Sequence, residues 1–278
     1  MNEKRYAFIG GGNMARSLVG GMISDGCNPE RIRVSDPSAE QRHQLAATFG
    51  IHTATSNLEA LQQADVVILA VKPQVIEAVA TEIAEAIQQQ QCPVISIAAG
   101  IRTADLERWL GADCAVIRTM PNTPALVGSG ATALFANQTT TAEQRNLAEF
   151  IMRAVGLTLW LDDEPLMDAV TAVSGSGPAY FFLLMESLEN AGCNAGLPRE
   201  TARLLTLQTA FGAAKMALES SDDSATLRKC VTSPGGTTER AIEIMESGDY
   251  QTLINNAVQG AKERAQELAD ILGNNNNG

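Results

Sequence analysis

The sequence is poor in aromatic side chains, which form 4% of its 278 residues, and it contains only two histidines. A core with so few rings is built from Ala, Val, Ile and Leu, which favours helices packed on a sheet over a β-sandwich. His43 and His52 lie outside any cleft motif, so a dehydrogenase that depends on a catalytic histidine is disfavoured. The sequence has no HExxH pattern and no Cys/His cluster, so we expect no metal site.

Paired cysteines, excess positive charge and long apolar runs are also lacking. The five cysteines are scattered without a C-x-x-C pair, which predicts reduced thiols and a cytoplasmic location. A net charge of −12 argues against nucleic acid or an anionic membrane as partner. The apolar run 66–71 is too short to span a bilayer, and the polar start leads us to expect no signal peptide.

Strand and helix patterns alternate through the first part of the chain. We predict helices at 13–24, 39–49, 76–88 and 142–155, and strands at 6–9, 32–35, 65–71, 94–98, 115–118, 131–135 and 158–161. The alternation predicts a doubly wound α/β domain of the Rossmann type. The continuous apolar run from Asp65 to Val71 is typical of a strand buried on both faces of a parallel sheet.

From Pro165 the pattern becomes almost wholly helical, with breaks at 174–178, 192–198, 220–223 and 233–236. We therefore predict a Rossmann domain at 1–163, an all-α dimerisation domain at 164–273 and a polar tail at 274–278. The segments 179–188 and 202–218 are apolar nearly all the way round. In so small a domain, part of their burial is expected to come from another subunit.

The most informative motif is Gly10-Gly11-Gly12-Asn13-Met14-Ala15, which fits G-x-G-x-x-A between the first strand and the first helix. Gly10 permits the tight turn, Gly12 lets the backbone approach a pyrophosphate, and the helix start presents free N–H groups to it. We therefore predict a nicotinamide dinucleotide, NADPH or NADH, on this loop. The alternative is a glycine-rich turn that binds no ligand.

Asp36 follows the second strand, roughly 20 residues beyond the glycine loop, where an acidic side chain can bond a ribose 2′-OH and favour NADH. Because it precedes Pro37, Asp36 is equally suited to capping the turn into the next helix. Arg42 lies near enough in sequence to meet a 2′-phosphate if Asp36 turns away. The sequence leaves the choice of nucleotide open.

Other strands end in residues suited to line the same edge of the sheet. Lys72 in Ala70-Val71-Lys72-Pro73 is positioned either to contact the ligands or to lie in solvent. Ala98-Ala99-Gly100 leaves room for a flat ring. The loop from Arg118 to Pro124 is either a substrate contact or an ordinary proline-rich connection.

A second glycine cluster, Ser233-Pro234-Gly235-Gly236-Thr237-Thr238-Glu239, precedes a helix. It predicts a nest of N–H donors for a carboxylate or phosphate, against the alternative of a simply capped helix start. The break Ser174-Gly175-Ser176-Gly177-Pro178 is either an N-cap or a hinge.

Five motifs taken together resemble those of pyrroline-5-carboxylate reductases, over essentially the whole chain except its tail. They are Phe8–Met14, Ala70–Pro73, Met120–Pro124, Val173–Tyr180 and Ser233–Thr238.

The resemblance implies reduction of 1-pyrroline-5-carboxylate to L-proline by NADPH or NADH, and a homodimer or a ring of dimers. It implies that Thr238 acts on the ring nitrogen as the catalytic residue. The implied substrate-binding set is Ser233, Gly235, Gly236, Thr237, Thr238 and Ser176. The implied cofactor-binding set is Ile9, Gly10, Gly12, Asn13, Met14, Asp36, Asn57, Ala70, Val71, Lys72, Pro73, Ala98 and Ala99. Cys230 receives no role.

Two other functions fit parts of the sequence. A β-hydroxyacid dehydrogenase shares the domain order, but it uses a helix lysine with a nearby asparagine, whereas Glu219 lies one turn after Lys215. A dinucleotide-binding sensor without turnover needs only the first glycine cluster.

Overall fold

The computed structural model describes residues 3–111 and 113–273, and the predicted polar tail at 274–278 lies outside them. The chain divides into two compact units. The first contains the residues up to Ser176 together with those from Ala261 onward, and the second runs from Gly177 to Gly260. The domain boundary at residue 163 stays a prediction. The compact units group residues that lie close together in space, whereas the predicted domains were divided by their function.

The first unit is built on an eight-stranded sheet in the order β3-β2-β1-β4-β5-β6-β7-β8. The strands are β1 (Tyr6–Ile9), β2 (Ile32–Ser35), β3 (His52–Ala54), β4 (Val66–Leu69), β5 (Val94–Ser96), β6 (Val116–Met120), β7 (Gly130–Ala136) and β8 (Gly156–Trp160). Neighbouring strands are parallel except for the antiparallel pair β6–β7. Strand order reverses between β1 and β4, and such switch points bind nucleotides in doubly wound folds. The predicted fold class is confirmed.

Helices cover both faces of this sheet. They are α1 (Asn13–Ser24), α2 (Ala39–Phe49), α3 (Asn57–Ala60), α4 (Ile76–Gln90), α5 (Thr103–Leu110), α6 (Ala142–Arg153) and α7 (Leu166–Val170). Tyr6 and Phe8 of β1 enter one buried cluster, while Ala7 and Ile9 enter the other. Because both faces of the strand are covered, its sequence is apolar at every position.

The sequence did not predict β3, α3 or α5. His52 of β3 is exposed and Thr53 only half-buried, so this short edge strand lacks a clear apolar pattern. The structure also differs from the break predicted at 174–178. Residues Thr171–Gly175 form a π-helical turn that follows α7, and only Ser176 separates this turn from the helix that begins at Gly177.

The second unit is helical, with α8 (Gly177–Asn194), α9 (Arg199–Glu219), α10 (Ser224–Cys230) and α11 (Thr237–Ser247). The last helix, α12 (Tyr250–Gly273), begins in this unit, and its residues from Ala261 belong to the first. Large apolar side chains on α8 and α9 are exposed within the single chain, among them Phe182 and Phe211. Across 3–111 and 113–273, no helix combines the length and apolar character needed to cross a membrane.

Candidate active site

The glycine loop joins β1 to α1 as the sequence predicts. Gly10 adopts φ +100°, and a Cβ there would lie 2.6 Å from the carbonyl oxygen of Ala70, so only glycine fits. Gly12 is the N-cap of α1 and has open space where its Cβ would point. Since no side chain caps the helix start, the first N–H groups of α1 are left for another acceptor, an arrangement suited to binding an anion. The first turn of α1 carries no acidic residue that would oppose an anion.

The ends of β1, β4 and β5 lie side by side at this edge of the sheet. The N–H of Ala70 donates to Ile9 O at 2.8 Å, and the N–H of Ile97 donates to Leu69 O at 3.2 Å. These bonds bring Ile9, Ala70 and the segment starting at Ala98 to one edge. The structure thus brings together three of the predicted cofactor segments.

Asp36 closes the glycine loop from the end of β2. Its Oδ2 accepts from the Gly11 N–H at 2.8 Å, and its Oδ1 accepts from the Ser38 N–H at 2.8 Å. The carboxylate therefore caps the turn, which is one of the two predicted roles, and it also contacts the glycine loop. The other role, a bond to a ribose 2′-OH, stays a prediction. The Arg42 guanidinium donates to the carbonyl oxygens of Asp36 and Pro37, at 2.6 and 2.9 Å. Arg42 is thereby held by the backbone of this turn.

Asn57, a member of the implied cofactor-binding set, is held by hydrogen bonds to two side chains. Ser35 Oγ donates to Asn57 Oδ1 at 2.8 Å, and Asn57 Nδ2 donates to Glu82 Oε2 at 2.9 Å. Glu82 has no signal in the sequence, because it lies 25 residues away on α4 and becomes a neighbour only through the fold.

Lys72 is exposed and stands before a short 3₁₀ turn that begins at Pro73. This position leaves its role open, as the sequence did.

The loop after β6 is tied to the π-helical turn by one side chain. Asn122 Nδ2 donates to Ser174 O at 3.2 Å, and Asn122 Oδ1 accepts from the Ala131 N–H at 2.9 Å. A Cβ on Gly175 would lie 2.5 Å from Met120 Cε, so the two segments touch. Ser176 follows directly, and its N–H donates to Thr171 O at 2.8 Å. Single-turn π-helices often occur at functional sites.

Arg118 lies within β6, as the predicted strand at 115–118 implies, and the loop predicted to begin at Arg118 starts only after Met120. Its side chain is buried and forms ion pairs with Glu164 at 3.0 Å and Asp168 at 3.7 Å. Glu164 also accepts from the N–H and hydroxyl of Thr103. This network fixes the chain between β8 and α7 against the sheet. The only sequence signal for this network was an arginine at the end of the predicted apolar strand 115–118.

The second glycine cluster connects α10 to α11 within the helical unit. Gly236, not a threonine, is the N-cap of α11, and Gly235 adopts φ +72°. The N–H of Gly235 donates to Glu239 Oε2 at 2.7 Å, and that of Gly236 donates to Ser233 O at 3.0 Å. The two glycines therefore shape the turn. The backbone N–H groups available to an anion are therefore those of the first helical residues, Thr237 and Thr238, which are exposed.

The buried thiols are unsuited to nucleophilic chemistry. Burial raises the pKa of Cys92 to about 11 and that of Cys114 to about 12. Within residues 3–111 and 113–273, no group of three His, Cys, Asp or Glu residues is arranged to hold a metal ion.

Comparison with known proteins gives full-length matches. The family described as pyrroline-5-carboxylate reductase dimerisation matches residues 164–268, and that described as NADP oxidoreductase, coenzyme F420-dependent, matches residues 5–100. A pyrroline-5-carboxylate reductase of Pseudomonas aeruginosa is 53% identical, with the alignment covering 98% of this chain and 100% of the relative.

Two solved structures are similar over nearly their whole length. The pyrroline-5-carboxylate reductase of Coxiella burnetii has a TM-score of 0.93 at 48% identity, covering 96% of this chain and 99% of that one. The Plasmodium falciparum pyrroline carboxylate reductase, solved with NADP bound, has a TM-score of 0.85 at 29% identity, covering 97% and 99%. The chain belongs to the pyrroline-5-carboxylate reductase family.

Proposed function

We propose that this protein reduces 1-pyrroline-5-carboxylate to L-proline with NADPH or NADH, the final step of proline biosynthesis. The observation that carries the proposal is the pair of helix starts, α1 and α11, that each have a glycine at the N-cap. One suits the pyrophosphate of a dinucleotide and the other the carboxylate of a small substrate.

In the proposed reaction, hydride passes from C4 of the nicotinamide to the imine carbon, and the ring nitrogen ends as the amine of proline. A protonated imine brings its own proton from water, so the enzyme needs orientation and hydrogen bonds more than a strong acid. This fits a chain whose two histidines, His43 and His52, are exposed.

We assign the residues the following roles. Gly10 and Gly12 admit the pyrophosphate to the N-terminus of α1, while Ile9, Asn13, Met14, Ala70, Val71, Lys72, Pro73, Ala98 and Ala99 line the cofactor. Thr237 and Thr238 offer backbone N–H groups to the substrate carboxylate, and Ser233, Gly235 and Gly236 shape the turn that presents them. Thr238 adds its hydroxyl at the ring nitrogen. Ser176 remains a proposed substrate contact.

The protein is proposed to work as a homodimer or a ring of dimers. Phe181, Phe182 and Leu183 are each more than 60% exposed in the single chain. Between α8 and α12, a largely apolar groove of about 520 Å³ is lined by Tyr180, Leu184, Leu253 and Ile254 among others. Exposed apolar surface of this extent is typical of a subunit interface. All five cysteines are unpaired, which supports the proposed cytoplasmic location.

The proposal is tested by following NADPH and NADH oxidation with 1-pyrroline-5-carboxylate and measuring the proline formed. Formation of proline with either cofactor supports it. Absence of proline with both, or oxidation of 3-hydroxyisobutyrate without proline formation, contradicts it. Binding of cofactor without any turnover would instead support a sensor.

A further inference from the structure

The last turns of α12 lie against the segment that follows β5. Gly100 adopts φ +74°, and a Cβ there would lie 3.2 Å from Leu272 Cδ1 and 3.7 Å from the backbone nitrogen of Ala269. Ala265 and Ala269 are both buried. Small residues on the helix and a glycine on the segment thus bring the two backbones into direct contact.

Apolar and polar contacts extend this attachment. Leu272 packs against the buried cluster that contains Ile101 and Leu106. Arg102 Nη2 lies 2.6 Å from Asp270 Oδ1, which ties the segment to the helix. The helix is closed at its end by Arg108, whose Nη2 donates to Gly273 O at 2.7 Å. A cation at the last carbonyls is favourable at a helix C-terminus.

A side chain at position 273 would collide with a buried carboxylate. The Cβ would lie 2.7 Å from Asp105 Oδ2, an atom that is buried and has no hydrogen-bond partner within residues 3–111 and 113–273. The end of α12 is therefore fitted closely to α5 as well as to the segment after β5.

The attached segment begins at the proposed cofactor edge. Ala98 is buried and Ala99 exposed directly after β5, whose end is bonded to that of β4 through Ile97 and Leu69. Between Ala99 and Arg102 only two residues intervene, so displacement of the anchored end moves the residues that face the cofactor.

We propose that Asp270 and Leu272 are positioning residues, which hold the Ala98–Arg102 segment in the conformation that binds the nicotinamide dinucleotide. The inference rests on the proposed function for the placement of Ala98 and Ala99 at the cofactor. It assigns to the C-terminal helix a role in cofactor affinity, in addition to its packing.

The test uses the full chain with Asp270→Asn, Leu272→Ala and a control on the same helix, Glu267→Gln. Glu267 pairs with Arg264 at the same 2.6 Å distance and is as exposed as Asp270, but its pair does not involve the segment. The dissociation constant of NADH is measured by fluorescence titration without substrate, together with the melting temperature. Hydrogen exchange at residues 98–102 reports on the segment itself.

We expect NADH to bind ~2- to 5-fold more weakly to Asp270→Asn and roughly tenfold more weakly to Leu272→Ala, with Glu267→Gln close to the parent. The charge exchange Arg102→Asp with Asp270→Arg should restore most of the affinity, and exchange at 98–102 should rise in Leu272→Ala. Asp270→Asn keeps the size of the side chain, so it tests the role even if Leu272→Ala fails to fold.

Unchanged NADH affinity in folded Asp270→Asn and Leu272→Ala would overturn the inference, even if their melting temperatures fall. An equal loss in all three variants would overturn it too. Because binding is measured without pyrroline-5-carboxylate, failure of the proposed reaction leaves this test intact.

Discussion

The carboxylate of Asp36 accepts a 2.8 Å hydrogen bond from the backbone N–H of Gly11, which places a negative charge against the glycine loop. A ribose 2′-phosphate carries close to two negative charges at neutral pH, so it would be repelled there, whereas a 2′-OH can donate to the carboxylate. We therefore expect NADH to be preferred over NADPH.

Asp36→Ser and Asp36→Asn should raise the NADPH to NADH ratio of kcat/KM by about tenfold or more, since both remove the charge. Initial rates with each cofactor measure the ratio. High salt should weaken the discrimination of the parent, because the repulsion is screened. Asp25→Asn, an exposed change of equal charge, serves as control. A ratio that stays constant in both variants would exclude Asp36 as its determinant.

Thr238→Ala should lower kcat/KM for 1-pyrroline-5-carboxylate by roughly 10- to 10³-fold, about 1.4–4 kcal/mol, through loss of the hydroxyl at the ring nitrogen. NADH binding should be unaffected. Thr201→Ala, which removes an exposed hydroxyl from the first turn of α9, should change little. Equal kinetics in parent and Thr238→Ala would remove this threonine from the mechanism.

Phe182→Lys should break the proposed subunit interface, because it places a charge among exposed apolar side chains of α8. We expect the dimer dissociation constant to rise by at least ~100-fold. Light scattering after size-exclusion chromatography gives the mass of the species. Glu40→Gln, an exposed change of the same charge difference on α2, should keep the assembly intact. A chain that is monomeric before mutation would rule out the proposed interface.

Arg118→Met should destabilise the first unit by about 3–5 kcal/mol, because buried Asp168 and half-buried Glu164 would be left without their cation. Urea unfolding measures the loss. Arg153→Ala removes a largely exposed partner of Glu149 and should cost under about 1 kcal/mol. Similar losses in the two variants would show that the buried pairs contribute no more than a surface pair.

Stability should fall as pH rises above 9, because burial raises the pKa of the Cys92 and Cys114 thiols to about 11 and about 12. The unfolded chain then releases protons that the folded chain retains, and two thiols give a slope of up to about 2.7 kcal/mol per pH unit. The contribution of the two neutral thiols to the free energy of unfolding is fully present below pH 9 and is lost as the pH rises toward 12.

Unfolding of the parent and of Cys92→Ala with Cys114→Ala, between pH 8 and 10.5, measures the slope. A slope that is the same in both proteins would contradict the assignment. In the folded parent, exposed Cys230 should react with a thiol reagent well before Cys92 and Cys114.

Local sequence patterns predicted those elements whose structure depends mainly on residues close together in the chain. The bounds of β1, α1, β2 and α2 agree with the sequence prediction, since each has a short apolar run or a clear helix period between turn residues. β3 was not predicted, because an edge strand with an exposed residue such as His52 need not show alternating apolar and polar side chains.

The candidate site was predictable where glycine was required by backbone geometry, as at Gly10. It was not predictable where a distant residue completes a hydrogen bond. Nothing near Asn57 in sequence indicates Glu82, and nothing near Arg118 indicates Asp168. The hydrogen bond of the Gly235 N–H depends on the Glu239 side chain turning back toward the loop, which a side-chain torsion decides.

The division of α12 between the two compact units bears on how the chain folds. Leu272 belongs to the packing of the first unit although most of that unit precedes Gly177 in the chain. During synthesis, the packing of the first unit is therefore complete only after α12 has been made. Until then Gly100 and Ile101 have no contact with this helix. Contacts of such long sequence separation slow folding and expose apolar surface meanwhile. A chain that stops short of this helix would leave the nascent protein vulnerable to aggregation at the segment after β5.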